Sequence, residues 1–160
     1  TIALSNQLSG MTTASLPALG SAQMPSGSVL QVVSMDTSTV TSINSTSYVD
    51  TPITLTITPS STSSKILCMW TVQVKFNSTG VRGIGTKLLR DSATAYESGT
   101  SYDVYAGADN DRQRPCWTVL DSPSTTSAVV YKVQVATYNT DVTVNDAGNS
   151  SQITLMEIQG

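Results

Sequence analysis

The residues able to do chemistry in this 160-residue chain are carboxylates, two cysteines and a few aromatic rings, because the sequence contains no histidine. Without histidine the commonest general base and the commonest metal ligand are missing, so Ser/His/Asp and Cys/His catalysis are excluded. The two cysteines, Cys68 and Cys116, lie too far apart in the sequence to make a zinc site. We expect both to be reduced structural thiols.

Three carboxylates, Asp103, Asp109 and Asp111, fall in one predicted loop and offer the oxygen ligands that a hard cation such as Ca²⁺ prefers. Their spacing does not match an EF-hand, and the neighbouring Arg112 and Arg114 would compete with a bound cation. A glycosidase would need two carboxylates held across a cleft. Two carboxylates occur in any acidic loop, so their presence here is not specific evidence for that activity. We therefore predict a solvated loop in which the arginines and carboxylates neutralise each other, with no catalytic residue, metal or cofactor.

The same region, residues 98–114, also holds side chains suited to recognition, since Tyr and Trp rings often anchor binding sites. Four aromatic residues here and nearby either form a sugar-binding surface or pack in the core and in a subunit interface: Tyr96, Tyr102, Tyr105 and Trp117. The residues predicted to face a receptor are Tyr102, Tyr105, Asp109, Asp111 and Arg112.

These side chains need a scaffold, and residues 65–77 indicate what it is. Apolar residues occupy every second position of this run, including Cys68 and Trp70, so one face of a strand would be wholly apolar. A buried helix would need a different spacing. We predict the central strand of a β-sandwich with Trp70 in its core. At ~3.3 Å per residue the run would span roughly 43 Å, well beyond the ~17–20 Å of an ordinary strand, so we expect a bend or bulge.

The rest of the chain repeats the strand pattern, and no segment has the pattern of a long amphipathic helix. Further strands are predicted at 29–35, 53–58, 84–90, 93–97, 116–121, 129–136, 142–144 and 152–158, with a brief pairing at 47–51 and a loop at 36–46. Turn residues separate these runs at the spacing of a sandwich. The predicted fold class is all-β: a jelly-roll-like antiparallel β-sandwich of about eight or nine strands.

An extended N-terminal arm is predicted at residues 1–28, before a sandwich domain at residues 29–160. Its apolar residues Leu4, Leu8, Leu16 and Leu19 are scattered among Ser, Thr, Gly and Pro without a period. Such a segment cannot bury enough apolar surface to offset its own ordering entropy. We expect these leucines to dock on the chain's own domain, on a sister chain or on a larger particle.

Charge is sparse in this chain, at 12% of residues with a net charge of −3. Basic residues do not cluster, which argues against nucleic acid as the main partner. No apolar run reaches ~18 residues, so we predict no membrane insertion. Uncharged Ser and Thr replace the missing charge, which suits a β surface that meets copies of itself, where charge would be costly to bury.

Five pieces of the sequence together resemble a β module of tailed phages. They are GSVLQVVS (27–34), TSYVDTPITLTITPSSTSSKIL (46–67), LLRDSATAYESGT (88–100), VLDSPSTTSAVVYKVQV (119–135) and SQITLMEIQG (151–160). The module recurs in tail-fibre and other virion proteins, especially of marine and cyanobacterial phages and related prophages. The resemblance covers about residues 26–160 in the same order, and the arm is not part of it.

This resemblance implies a homotrimeric structural protein on the exterior of the phage particle, assembled in the cytoplasm of a bacterial host, where thiols stay reduced. It brings no catalytic motif. As a tail-fibre or appendage protein the chain would bind host-surface glycans through loops such as 98–114. As a capsid decoration protein it would be anchored to other virion proteins by residues 1–28 and would stabilise the head. In the family the module often ends a longer fibre, whereas here only the arm precedes it, which favours the second alternative. The proteins in which the module usually occurs favour the first, and we put the tail-fibre role slightly ahead.

Overall fold

The computed structural model describes residue 20 and residues 23–77, 81–99, 103–107, 110–139 and 141–160. Some residues singled out from the sequence lie outside this part of the chain: Leu4, Leu8, Leu16, Leu19, Tyr102 and Asp109.

Thirteen strands and no α-helix form within the described residues. The strands are β1 (Val29–Thr37), β2 (Thr41–Ile43), β3 (Val49–Ile57), β4 (Lys65–Thr71), β5 (Val74–Phe76), β6 (Arg82–Arg90), β7 (Ala93–Glu97), β8 (Val104–Ala106), β9 (Arg112–Gln113), β10 (Cys116–Asp121), β11 (Val129–Tyr138), β12 (Val142–Val144) and β13 (Ser151–Ile158). Their pairings are antiparallel. The predicted all-β class is therefore confirmed.

One long sheet is interrupted halfway along its strands. Its larger half, which we call the front sheet, has the order β1-β13-β4-β10, and its smaller half has the matching order β2-β12-β5-β9. Each strand of the first half continues in the chain into its counterpart in the second. The predicted bend in residues 65–77 is confirmed, because this run divides into β4 and β5 at Val72 and Gln73.

The back sheet has the order β3-β11-β6-β7, with β8 also paired to β6. If each interrupted strand is counted together with its continuation, the chain has eight long strands that pair in a nested order: the first with the last, the second with the second last, and so on. The pairs are β1/β2 with β12/β13, β3 with β11, β4/β5 with β9/β10, and β6 with β7/β8. This nesting is what results when one long hairpin of eight strands is rolled into two sheets, which is the jelly roll.

The core lies between the front and back sheets, and alternate residues of each strand point into it. Trp70 of β4 is 1% exposed, and its indole N–H donates to the Thr86 hydroxyl of the back sheet at 3.2 Å. The prediction that Trp70 belongs to the core is confirmed. The hydrogen bond satisfies the one polar atom of the ring and joins the two sheets.

The two cysteines lie on neighbouring strands but do not meet. Cys68 of β4 is paired with Val119, and Cys116 of β10 is paired with Thr71. Cys68 is buried in the core and Cys116 is exposed on the opposite face, so both are free thiols. Burial, followed by the negative charge of Asp121, raises the pKa of Cys68 to about 12, which makes this thiol a poor nucleophile.

Two predicted loops contain strands. The prediction of a loop at 36–46 was wrong for Thr41–Ile43, which forms β2 and pairs with β12. Region 98–114 contains β8 and β9, which pair with β6 and β5. These strands are two or three residues long, too short to show alternation, and their partners lie far away in the sequence. The brief pairing predicted at 47–51 is part of β3.

Candidate functional site

The outer face of the back sheet is polar and neutralises its own charges. Lys132 lies 2.7 Å from a carboxylate oxygen of Asp50, and Lys87 lies 2.9 Å from Glu97. The Lys87 ammonium also sits 4.5 Å from the centre of the Tyr48 ring. Hydrogen bonds, first from Lys132, hold the pKa of Asp50 below its usual value. A face built in this way suits contact with water.

The outer face of the front sheet is different, because an apolar row crosses all four of its strands. Val32 pairs with Met156, Met156 with Leu67, and Leu67 with Leu120. The two outer members, Val32 and Leu120, are 53% and 51% exposed, and the two inner members are half-buried. We call these four residues the apolar row. The two outer members therefore leave apolar side-chain surface in contact with water.

The remainder of this outer face carries little charge. Its charged side chains are Lys65 and Asp36, which lie at opposite ends of the sheet. A hollow of about 210 Å³ lies beside the apolar row. It is lined by Met69, Trp70, Thr71, Cys116, Gln152 and Thr154. The front sheet therefore presents a nearly uncharged surface that another β surface could cover without burying charge.

Three of the residues predicted to face a receptor are described, and the structure places them near Gln113. Tyr105 of β8 is 54% exposed, and its carbonyl accepts a hydrogen bond from the Gln113 amide at 3.0 Å. The same amide donates to the Asp111 carboxylate at 2.9 Å. The Arg112 side chain turns to Asp146, with Nε and Nη2 at 2.8 and 2.6 Å from one carboxylate oxygen.

The predicted aromatic surface is only partly available. The Trp117 ring stacks on Trp70 with centroids 6.1 Å apart, and Tyr96 meets Trp70 edge-on at 5.5 Å. The indole N–H of Trp117 donates to Asp103 at 2.5 Å. Trp117 and Tyr96 therefore close the side of the core, and Tyr105 is the ring that projects from the described part of region 98–114.

The two described acidic residues that were singled out in this region have different partners. Asp103 accepts from Trp117, and Asp111 accepts from Gln113. The described ranges contain no group of three His, Cys, Asp or Glu side chains that could hold a metal ion. They also contain no helix with the length and apolar content needed to cross a membrane.

A ring of buried polar groups holds the interruption in the long sheet. The backbone N–H of Gln73 donates to the Ser151 hydroxyl at 2.9 Å, and that hydroxyl donates to the Asn145 side-chain oxygen at 2.6 Å. The backbone N–H of Asn145 returns to the Gln73 carbonyl at 3.0 Å, and its side chain donates to the Thr39 carbonyl. Asn145 has φ of 60°, a left-handed conformation that Asn tolerates better than most residues.

A polar pocket of about 190 Å³ opens at this interruption. It is lined by Gln73, Arg112, Gln113, Arg114 and Asn149. The side-chain oxygen of Gln73, which is 3% exposed, has no hydrogen-bond partner within the described residues. Arg114 reaches the Asn149 side-chain oxygen at 3.4 Å. We call this the junction pocket.

Of the residues that line the junction pocket, Arg112 was among the predicted site residues, and the others were not. Arg112 was expected to be neutralised by the adjacent aspartates, but its described partner is Asp146, and Arg114 has no ion pair with a described residue. Gln73 and Asn149 lie in separate parts of the sequence and meet here only because β4/β5 and β12/β13 are interrupted at the same level. No pattern in the sequence signals that meeting.

Comparison with known proteins gives little beyond this geometry. The sequence matches no protein-family model and no curated protein. The structure resembles the VP2 subviral particle of infectious bursal disease virus, with a TM-score of 0.47 and 10% identity over 81% of this chain and 33% of that chain. For a mutant VP2 of the same virus in T=1 particles, the TM-score is 0.40 and the sequence identity is 12%, over 89% of this chain and 40% of that chain. The chain thus spans a third to two fifths of those proteins. Its function has to be inferred from its own surfaces.

Proposed function

We propose that this chain is a non-enzymatic structural protein of a phage particle that assembles as a homotrimer through the outer face of its front sheet. The carrying observation is the apolar row, because Val32 and Leu120 leave about half of their surface in water on a nearly uncharged face. The sequence resemblance to the tailed-phage module supports both the trimer and the location on the particle exterior.

The contrast between the two outer faces supports this choice of surface. On the outer face of the back sheet, charged side chains form the ion pairs Lys132–Asp50 and Lys87–Glu97. These pairs are in contact with water, and burying them in an interface would cost the free energy of removing that water. The front sheet has no such pair on its outer face. Association through the front sheet buries apolar area and leaves the charges in water, which is the direction that burial of apolar surface favours.

The experiment is sedimentation of the purified chain and of two matched variants. Leu120→Lys places a charge in the apolar row, and Val130→Lys places the same charge at a 37% exposed position on the back sheet. We expect the parent and Val130→Lys to sediment as trimers of about 50 kDa, three times 16.8 kDa, and Leu120→Lys to be monomeric with an unchanged circular dichroism spectrum. A monomeric parent, or a Leu120→Lys trimer, would refute this interface.

Within this role we place the chain in a tail fibre or surface appendage that contacts the host surface. The exposed Tyr105 and the junction pocket lie at the other end of the sheet from its Lys65 end, so they remain open when the apolar row is covered. The alternative is a capsid decoration protein anchored by residues 1–28. At the end of this segment, Gly27 and Ser28 exchange hydrogen bonds with Gln159 beside the front sheet.

A gold label on residue Thr1, imaged on intact phage particles, separates the two alternatives. Label around the head would make this chain a decoration protein with the arm as its anchor. Label confined to the tail or its fibres would support the appendage role. Label on neither would remove the chain from the mature particle.

A further inference from the structure

The junction pocket combines a guanidinium without a carboxylate partner among the described residues and a side-chain amide oxygen without a hydrogen bond among them. Arg112 is tied by two contacts to Asp146, which fixes its position and cancels its charge. Within the part of the chain that the structure describes, the partner of Arg114 is the neutral side chain of Asn149, at 3.4 Å. In a chain with a net charge of −3, this leaves one guanidinium free to attract an anion at the pocket mouth.

Gln73 supplies the second half of the argument. Its backbone N–H and carbonyl are both satisfied by the ring of polar groups at the interruption, but its side-chain oxygen is not. A buried polar atom without a partner destabilises the fold, and native structures hold few of them. The side-chain amide has a donor end and an acceptor end and can exchange them by rotation. Because this oxygen is itself shielded from solvent, the amide has to turn before a ligand hydroxyl in the pocket can donate to it.

We infer that the junction pocket binds an acidic sugar unit, a hexuronate, with its carboxylate on Arg114 and a ring hydroxyl on Gln73. Guanidinium groups bind carboxylates through two parallel hydrogen bonds, which gives the site its preference for a carboxylate. The pocket has a volume of about 190 Å³ and is open to solvent on one side, so a sugar unit can enter from that side. Gln113, in the pocket wall, also donates to the backbone carbonyl of the exposed Tyr105.

This site deepens the proposed attachment role, because acidic saccharides are a chemistry that a host surface can present. It does not depend on the trimer interface, which lies on the apolar row and is measured by sedimentation. Loss of the sugar site would leave the structural role standing. Loss of the trimer would leave the pocket intact in each monomer.

The experiment is a titration of the folded full chain with three probes: methyl glucuronide, methyl glucoside and sulfate. We expect methyl glucuronide to bind at least tenfold more tightly than either of the others. Arg114→Gln should lower its affinity at least tenfold. Lys132→Gln, which removes a cation on the back sheet, should not change it.

Gln73→Met tests the amide separately. Methionine keeps the length of the side chain and removes the unsatisfied oxygen, so the melting temperature should stay the same or rise, while methyl glucuronide binding falls at least tenfold. Three results would each overturn the inference: no binding of methyl glucuronide, equal binding of methyl glucoside or sulfate, or an Arg114→Gln variant that binds as the parent does.

Discussion

Trp70 fills the centre of the core and is the single side chain on which the sandwich depends most. Its ring is 1% exposed and touches Tyr96 and Trp117. Trp70→Ala should lower the free energy of unfolding by about 3–5 kcal/mol, since it leaves a cavity and frees the Thr86 hydroxyl. Urea unfolding at one fixed protein concentration measures this. Val130→Ala, an exposed truncation, should stay within about 0.5 kcal/mol, and a Trp70→Ala variant as stable as that control would contradict the central place of β4.

Glu157 is a buried carboxylate that ties the loop before β4 to the last strand. One carboxylate oxygen accepts from the Ser60 backbone N–H and from the Ser60 and Ser64 hydroxyls at 2.6–2.7 Å, and the other accepts from Gln31 at 2.6 Å. Burial alone would raise the pKa of Glu157, but these hydrogen bonds outweigh it and hold the pKa below its usual value.

The lowered pKa predicts a pH dependence of stability. A carboxyl group whose pKa is lower in the folded state stabilises the fold fully above its unfolded pKa of about 4.3, and this contribution is lost as the pH falls through the folded pKa. The parent should therefore be more stable than Glu157→Gln at pH 7, and the difference should shrink steadily below about pH 4. Melting curves from pH 7 to pH 3 measure it. A constant difference over that range would show that Glu157 is not ionised in the fold.

Ser151 stabilises the interruption of the long sheet. Its hydroxyl accepts a hydrogen bond from the Gln73 backbone and donates one to the Asn145 side chain. Ser151→Ala leaves two buried polar groups without partners, so the free energy of unfolding should fall by roughly 2–6 kcal/mol, at about 1–3 kcal/mol for each group. Ser92→Ala, in an exposed turn, should change it by less than about 0.5 kcal/mol. If chemical denaturation finds the two variants equally stable, the polar ring does not hold the interruption.

Most of the strands could be predicted from alternation, and the failures have one physical cause. Residues 129–136 and 152–158 alternate because one face of each strand is buried and the other is not. β2 and β9 carry two or three residues each, and only pairing with distant strands makes them extended. The overlong run at 65–77 was predicted to bend, because a strand of that length cannot follow a twisted sheet without interruption.

Some residues of the candidate sites could be predicted from the sequence, and others are brought together only by strand pairing. Arg112 and Tyr105 could be picked from their residue types, whereas the apolar row could not be picked at all. Its members come from four different strands, and each is one ordinary apolar residue in its own run. They form a surface only through the register of the front sheet. The junction pocket is hidden in the sequence for the same reason.

The arm is predicted to dock the chain and not to fold it. A deletion of residues 1–22 should leave the melting temperature within about 2 °C of the parent. A deletion of residues 1–28 also removes the two hydrogen bonds that Gly27 and Ser28 make with Gln159. These bonds contribute about 1 kcal/mol each to the free energy of unfolding. Their loss should lower the melting temperature by roughly 4–8 °C in a domain of this size. Scanning calorimetry measures both, and a fall of more than 10 °C for the shorter deletion, or loss of the trimer, would refute the prediction.

The nested strand order also decides when this chain is able to fold. β13 lies between β1 and β4, so the front sheet cannot close until residues 151–158 have left the ribosome. The bond between Gln31 and Glu157, for example, joins residues 126 positions apart. Contacts of such separation form slowly and leave apolar strands exposed in the meantime. Closure of the front sheet therefore follows synthesis of β13, and the apolar strands made earlier stay open to aggregation until then.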